Sequence, residues 1–506
     1  MKSFTFKNLF LALIICAVNT LTLQAQNPVA EWANKIGAGN AQVRFVDVDP
    51  TGNVYVAGLF SGSSLTIGSQ TITNPTTNHR TFVAKFNSTG TIQWLVGGGS
   101  NSSIYIDELT ALAVNDNGVI VGGNFNNGSV TFGNTTLNSI GGKDMYLAMY
   151  DNNGVFQWLK VFGGNFDDKI GGVCFGTSSN VYITGGFTSS INFGNTTLNA
   201  VSGLDVFVTA LNISNGSEVW AKSYGGSGAW LTEDGTAIVA DFQHVYVTGK
   251  YNSSKISFLA NDTLYNSSNT DEIFIVKLNQ ANGNTLWAKT AGGVCNEWPR
   301  SIDIDNLNNN GNIYISGFFN CTAYFGADSL TTNGFDGSST VYSDAFVCKL
   351  DNNGNFQWVK GFGGLQFDES YSCYVDYNGK VTVAVNSSST WGGLTFASQP
   401  IPFFTNNDLL VLQYDASGNE VWGKSYSTND HEFIYSCKGN KTPGSPIYIG
   451  GHFEGNSISF DSHTLSASSG INGYFAKLSY SATGIYDIDA FTGINFYPNP
   501  ANSYIN

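Results

Sequence analysis

Short runs in which β-branched residues alternate with Tyr, Thr or Ala recur along the chain. They read Val54-Tyr55-Val56-Ala57-Gly58, Val119-Ile120-Val121-Gly122-Gly123, Val181-Tyr182-Ile183-Thr184-Gly185 and Val245-Tyr246-Val247-Thr248-Gly249, then Ile313-Tyr314-Ile315-Ser316-Gly317, Val381-Thr382-Val383-Ala384-Val385 and Ile447-Tyr448-Ile449-Gly450-Gly451. Such alternation packs two different faces of a pleated sheet, so each run predicts a strand and not a helix. Before each run stands a short apolar segment after a polar loop, for example Val43-Arg44-Phe45-Val46-Asp47 or Arg300-Ser301-Ile302-Asp303-Ile304. After it comes a small polar hairpin, written almost identically as Phe132-Gly133-Asn134-Thr135-Thr136-Leu137-Asn138 and Phe193-Gly194-Asn195-Thr196-Thr197-Leu198-Asn199. A third strand follows (Phe82-Val83-Ala84-Lys85-Phe86, Phe346-Val347-Cys348-Lys349-Leu350). It turns through Asx-Gly sequences such as Asp151-Asn152-Asn153-Gly154, which favour tight hairpins, into a strand that carries a Trp.

That Trp is the clearest marker of a repeat. It stands at 32, 94, 158, 220, 287, 358 and 422, at intervals of 62, 64, 62, 67, 71 and 64 residues, and a Gly-Gly pair usually follows it. Four main strands in each of seven repeats predict an all-β fold, a seven-bladed β-propeller, which leaves only short protected edges. The last apolar strand, Tyr474-Phe475-Ala476-Lys477-Leu478, has no Trp strand after it, and Trp32 has no complete blade before it. The N-terminal segment around Trp32 is therefore expected to supply the outermost strand of the final blade and close the ring.

Composition agrees with this class and narrows the partners. Of 506 residues, 42% are hydrophobic and only 12% charged, and the abundance of Gly (59), Phe (36) and Tyr (24) favours strands and turns over amphipathic helices. A formal net charge of -15 repels phosphate backbones and anionic lipid, which sets nucleic acid aside as a partner. Lys2 and Lys7 precede the apolar run 9–18, and Leu23-Gln24-Ala25 offers a small-residue cleavage site, so residues 1–25 read as a secretory signal peptide. No later run approaches the roughly 18 apolar residues of a membrane span. Export removes Cys16 and leaves Cys174, Cys295, Cys321, Cys348, Cys373 and Cys437, which suit buried thiols as well as bridges. No CxxC pair or Cys/His cluster suggests zinc or iron-sulfur chemistry.

The pattern of Trp, Gly-Gly, an acidic loop, Asn-Val-Tyr-Val-x-Gly and an Asp before Phe-Val-x-Lys-Leu resembles the SBBP-type β-propeller repeat of bacterial secreted and surface proteins, from about Trp32 to Ser481. The resemblance implies a propeller in an extracytoplasmic setting and brings no shared catalytic residue. Residues 26–483 are taken as the propeller and 484–506 as a linker with the beginning of a C-terminal segment. There Tyr497-Pro498-Asn499-Pro500-Ala501-Asn502 resembles the opening of the type IX secretion C-terminal sorting domain. That likeness implies the type IX secretion machinery as a partner, with passage across the outer membrane and release or attachment at the cell surface. Such domains continue for several more strands, so a truncated sorting segment is expected.

Candidate chemistry gathers in the loops that lead from one blade's outer strand to the next blade's inner strand. Six of seven carry carboxylates, among them Asp107, Asp168, Glu233, Glu297, Asp368 and Glu432. Set around one mouth, these would focus a negative potential able to hold Ca²⁺ or a cationic group. The alternative is that each accepts backbone N–H bonds and fixes its own loop. Trp230 and Trp298 lie in the same loops and suit stacking on a sugar. The repeated acids before the third strand (Asp144, Asp205, Glu272, Asp344, Asp408) read as blade geometry because they recur so regularly. The reading is an exported, non-catalytic binding or adhesion module for an extracellular glycan or protein, secreted or held at the outer surface. The alternative is a secreted polysaccharide hydrolase or lyase using carboxylates such as Asp168 and Asp368. No GxSxG elbow, phosphate loop or HExxH motif offers other catalytic machinery.

Overall fold

In the computed structural model, residues 27–480 are described apart from 38, 103–107, 177–178, 228–231, 260–261, 306–310, 334–341, 389–394, 402–406, 443 and 468–469. The predicted signal peptide and the C-terminal segment lie outside the described residues. The seven alternating runs all form second strands of four-stranded antiparallel blades, seven in number, and two of the blade sheets are extended to six strands by the next blade's hairpin. The first blade orders Ala41–Val48, Val54–Phe60, Arg80–Phe86 and Ile92–Ser100 from inside to outside. The other inner strands are Glu108–Asn115, Lys169–Phe175, Asp234–Ala240, Glu297–Ile304, Asp368–Val375 and Glu432–Gly439. Each inner strand packs beside the inner strands of both neighbours, and the seventh meets the first, so the circle is closed.

Closure follows the sequence expectation. Val29–Ile36 is the outer strand of the seventh blade and pairs antiparallel with Asn472–Ser479, with Trp32 opposite Lys477 and Asn34 opposite Phe475. The Trp32 and Phe475 rings meet edge to face at 5.3 Å. Pairing the two ends of the propeller in one sheet removes the exposed edges that an open ring would carry.

The repeated Trp ties each blade to the next. The indole Nε1 of Trp94 donates to the Asn152 carbonyl (3.1 Å), Trp158 to Ile213 (2.8 Å), Trp220 to Gln280 (2.9 Å), Trp287 to Asn352 (3.1 Å), Trp358 to Ala416 (3.2 Å) and Trp32 to Ser88 (3.3 Å). Every acceptor lies in the turn between the third and outer strands of the following blade. A buried ring that also satisfies its N–H is well suited to such a seam. Trp422 faces the blade whose outer strand comes from the other end of the chain, where no such turn exists. It donates instead to Gln413 Oε1 at 3.0 Å and to the Tyr480 hydroxyl at 3.4 Å. Apolar clusters fill the spaces between blades. One joins Tyr55 and Val83 of the first blade to Val119, Phe132 and Tyr146 of the second, all buried, and burial of each such side chain contributes roughly 1.5–3 kcal/mol.

Gly-Gly after the Trp strand has a steric reason. A Cβ at Gly163 would lie 1.7 Å from Asp144 Oδ1, at Gly225 2.0 Å from Asp205 Oδ2, and at Gly363 2.3 Å from Asp344 Oδ1. The first glycine thus makes room for the buried acid that begins the third strand. Those acids hold the preceding loop, as expected: Asp144 Oδ2 accepts the Ile140 and Gly141 N–H groups at 2.6 and 3.1 Å, and Asp205 Oδ2 accepts Val201 N–H at 2.6 Å.

Among the described residues, Cys295 and Cys321 are bridged, while Cys174, Cys348, Cys373 and Cys437 are thiols. The bridge links the loop entering the fifth inner strand to the end of that blade's second strand.

Candidate functional site

The loop acids do not face a common mouth. Asp168, Glu233, Glu297, Asp368 and Glu432 are all fully buried at the blade junctions. Four of them accept the backbone N–H four residues earlier: Gly164 to Asp168 (2.5 Å), Gly293 to Glu297 (3.1 Å), Gly364 to Asp368 (2.8 Å) and Thr428 to Glu432 (3.0 Å). These four carboxylates bond to their own loops, the arrangement of the loop-fixing alternative. Burial comes first among the causes that raise these carboxyls, to about 7 at Asp168, Glu233 and Glu432 and to about 9 at Glu297. The neighbouring third-strand acid adds to the rise, as Asp144 does for Asp168 and Asp205 for Glu233. Asp168 and Asp368 sit in separate junctions and neither lines the central cavity. Among the described residues, no three acid, His or Cys side chains converge as metal ligands. Asp107 and Trp230 lie outside the described residues.

Trp298 is placed differently from the expectation of a sugar platform. Its Nε1 donates to Asp271 Oδ2 at 2.6 Å, and the Lys250 ammonium lies 3.7 Å over its ring. Its face is already covered by a cation.

What the seven inner strands do bring together is a ring of bulges. Each of them slips register against its second strand at the same place, leaving one residue unpaired: Arg44, Thr110, Gly171, Thr236, Arg300, Tyr371 and Tyr435. A bulge re-aims its side chain, and all seven of these residues line one cavity of about 500 Å³ in the centre of the propeller. That volume lies within the ordinary range for small-ligand sites.

The ring is lopsided. Arg300, Tyr371, Tyr435 and Arg44 come from four consecutive blades, the fifth to the first across the closure, and form a crescent. Thr110, Gly171 and Thr236 complete the circle with little or no side chain. At Gly171 none is possible, because a Cβ would lie 2.0 Å from the Gly235 carbonyl of the adjacent blade.

Within the crescent the Arg44 guanidinium lies 4.3 Å from the Tyr435 ring centre, and that of Arg300 lies 5.1 Å from Tyr371. The two tyrosines meet edge to face at 5.5 Å. The other side of Tyr435 stacks with His452 at 5.5 Å. Burial, with Arg44 adding to it, lowers the His452 imidazole to about 3, so it is neutral at ordinary pH.

Further along the inner strands, toward their C-terminal ends, Lys441 Nζ holds Asp303 Oδ1 at 2.7 Å, and Asp47 accepts N–H groups from Val48 and Val114 at 2.9 and 3.1 Å. Burial raises the Asp47 carboxyl to about 6. At Asp303 burial pushes upward too, but Lys441 and Lys438 more than offset it and keep that carboxyl below the usual range.

Sequence reasoning overlooked the bulge ring: the residues flanking it differ from blade to blade, and only the pairing register marks the position.

Seven four-stranded blades with recurring Trp clamps around a lined channel define a seven-bladed β-propeller repeat protein. No family model matches the chain. A curated WD repeat-containing protein of Acanthamoeba polyphaga mimivirus is 22% identical over 485 residues, covering 79% of this chain and 34% of its own, so the chain spans about a third of that relative's length. Similar solved structures include the Pan2 WD40 domain of Neurospora crassa, at 10% identity and a TM-score of 0.43, with 91% of this chain and 97% of that one covered. Another is the quinohemoprotein alcohol dehydrogenase of Comamonas testosteroni, at 11% identity and a TM-score of 0.40, with 89% and 76% covered. Among the described residues no helix is long and apolar enough to cross a membrane.

Proposed function

We propose that this chain is an exported propeller of the secreted, SBBP-like kind, acting as a non-catalytic binding module that takes an extracellular partner at the channel mouth. The observation that carries the reading is the lopsided bulge ring: a position presented to the cavity by every blade holds unlike residues, with the large cationic and aromatic ones gathered on one side. Ligand selection needs such irregularity, whereas scaffold positions repeat. The acids once considered for hydrolysis are held inside blade junctions, which favours binding over cleavage. The signal-like residues 1–25 and the Tyr497–Asn502 motif support export through type IX machinery to the surface or medium.

The test is an array of extracellular glycans and matrix proteins probed with the chain from residue 26 onward, followed by mass analysis of each retained ligand. Retention of intact ligand that is lost when Arg44, Arg300, Tyr371 and Tyr435 are replaced together supports the proposal. Cleaved ligand, or retention indifferent to those replacements, overturns it.

A further inference from the structure

We propose that the channel mouth is a carboxylate-binding site anchored by Arg44 and seconded by Arg300, and that its ligand is a small hydroxylated acid of the uronic-acid type, free or as the end residue of a glycan. The inference rests on the binding reading above and gives it a chemistry.

Lys438, which also lines the cavity, faces the carboxylates of Asp303 and Asp47, and charge pairing among the remaining cations singles out Arg44. Lys169 holds Asp234 at 2.5 Å, Lys250 holds Asp271 at 2.8 Å, and Arg300 lies 3.5 Å from Glu369. Arg44, in a chain of net charge -15, forms no ion pair or hydrogen bond among the described residues, and its charge rests only on the Tyr435 face. The Nε atoms of both Arg44 and Arg300 are buried without an acceptor. Arg44 is half-buried, and its buried Nε lacks an acceptor that an incoming planar carboxylate would supply through paired N–H···O bonds. The two arginines stand three blades apart, at the two ends of the crescent, with Tyr435 and Tyr371 between them.

The remaining features choose among anions. One uncompensated positive charge matches a monoanion, and the strongly negative chain disfavours phosphates and extended polyanions. Opposite the crescent the ring offers hydroxyls: Thr110 Oγ1 is buried without a partner, and Thr236 Oγ1 lies 2.9 Å from the Pro299 carbonyl. These suit a ligand carrying its own hydroxyl groups. Stacking of a sugar ring is not the mode, because Tyr435 and Trp298 already carry Arg44 and Lys250 on their faces. A cavity of about 500 Å³ admits one or two sugar rings and no more.

The experiment is titration calorimetry of the chain from residue 26 with glucuronate, galacturonate, glucose and a uronate-ended oligosaccharide, repeated with Arg44→Gln, Arg44→Lys and Arg300→Gln. At least one uronate is expected to bind more than about tenfold tighter than glucose and to weaken as salt rises. Arg44→Gln should lose about tenfold or more, Arg44→Lys less, and Arg300→Gln less than Arg44→Gln because Glu369 already engages that side chain. An unchanged thermal melt of Arg44→Gln certifies that the loss is local. Equal affinity of free acid and oligosaccharide identifies a small-molecule site, and a tighter oligosaccharide identifies a glycan end; both support the proposal. Glucose binding as well as the uronates, or Arg44→Gln binding as well as the parent, overturns it. If the array above retains a ligand while every uronate is silent, only the carboxylate assignment falls; if both are silent, the binding reading falls with it.

Discussion

The blade junctions and the bulge ring are built from the same seven repeats yet follow opposite rules. At the junctions the residues recur: an acid before the third strand, a glycine beside it, a second acid in the following loop, and a Trp reaching the next blade. At the ring the backbone recurs, with one bulge per inner strand, while the residue it presents changes from Arg to Thr to Gly to Tyr. Repetition marks what every blade needs in order to pack. Departure from repetition, at a position whose geometry is constant, marks what only one side of the channel needs. The comparison predicts that changes at the seams cost stability and leave ligand preference alone, and that changes at the ring do the reverse.

The largest effect should come from opening the circle. Deleting residues 26–37 removes the outer strand of the seventh blade, exposes the edge of Asn472–Ser479 and uncovers Phe475, which is fully buried in the native ring. A loss on the order of 5 kcal/mol is expected from the lost apolar burial, with aggregation through the new edge. Denaturant titration and sedimentation check it, and a deletion variant that remains monomeric and fully stable would break the account of ring closure.

Next in size is a single methyl group. Gly225→Ala places a Cβ 2.0 Å from a carboxylate oxygen of Asp205, itself 1% exposed. The side chain has nowhere to retreat, so a loss of about 3 kcal/mol is expected from overpacking. Gly194→Ala is the control: its φ is +127° but nothing lies within 4 Å of the added carbon, so only about 1 kcal/mol of backbone strain should appear. Equal losses at the two sites would remove the steric reason for the Gly-Gly repeat.

These two cases also show what could be read from the chain alone. The strand period of two, the Asx-Gly turns and the Trp interval specify four strands, seven blades and the closure at Trp32, because each is a local pattern with a single geometric solution. The acids of the loops were equally visible, but their direction was not: Asp168 and Glu297 bend back onto Gly164 and Gly293 through contacts that depend on how two blades abut. Trp298 likewise looks free in the sequence and is capped in space by Lys250, which comes from the blade before it. The bulge at Arg44 or Tyr435 has no residue signature of its own, since it arises where an inner strand must curve around the channel, so the ring emerged only from the pairing register.

A smaller and graded effect should come from pH. Burial raises Asp205 to about 6, Asp168, Glu233, Asp344 and Glu432 to about 7 and Glu297 to about 9. A carboxyl raised on folding favours the native state when protonated, so its contribution is complete below the ordinary carboxyl range and is lost as pH climbs through 6 to 9. The turn acids Asp49, Asp351 and Asp415 run the other way. Burial pushes each upward, but hydrogen bonds from Asn53, Asn355 and Asn419 respectively prevail and hold them low, so their contribution is lost only under stronger acid. Melting temperature should therefore rise from about pH 8 to about pH 5 and fall below about pH 4. Replacing Asp344 and Glu297 by Asn and Gln should flatten the upper limb, and an upper limb unchanged by that pair would show that the junction acids are ionised in the native protein.

The smallest stability effect should belong to the residue with the largest effect on ligand. Arg44→Gln removes a charge that no carboxylate balances, while its neighbours Tyr435 and His452 keep their mutual stacking at 5.5 Å. The lost cation–π contact of this half-buried arginine, worth about 0.5–1 kcal/mol, is opposed by relief of its buried Nε, which has no acceptor, so the net change should fall within about 0.5 kcal/mol of zero. The contrast is with Lys441, whose ammonium holds Asp303 at 2.7 Å near the C-terminal end of the fifth inner strand. Lys441→Gln leaves that buried carboxylate with only Lys438 facing it and without its direct ion pair, and should cost about 3 kcal/mol, checked by denaturant titration of the two variants side by side. If Arg44→Gln destabilised as much as Lys441→Gln, the mouth would belong with the seams as part of the scaffold, and the division between repeated structure and unrepeated ligand chemistry would fail at its most informative residue.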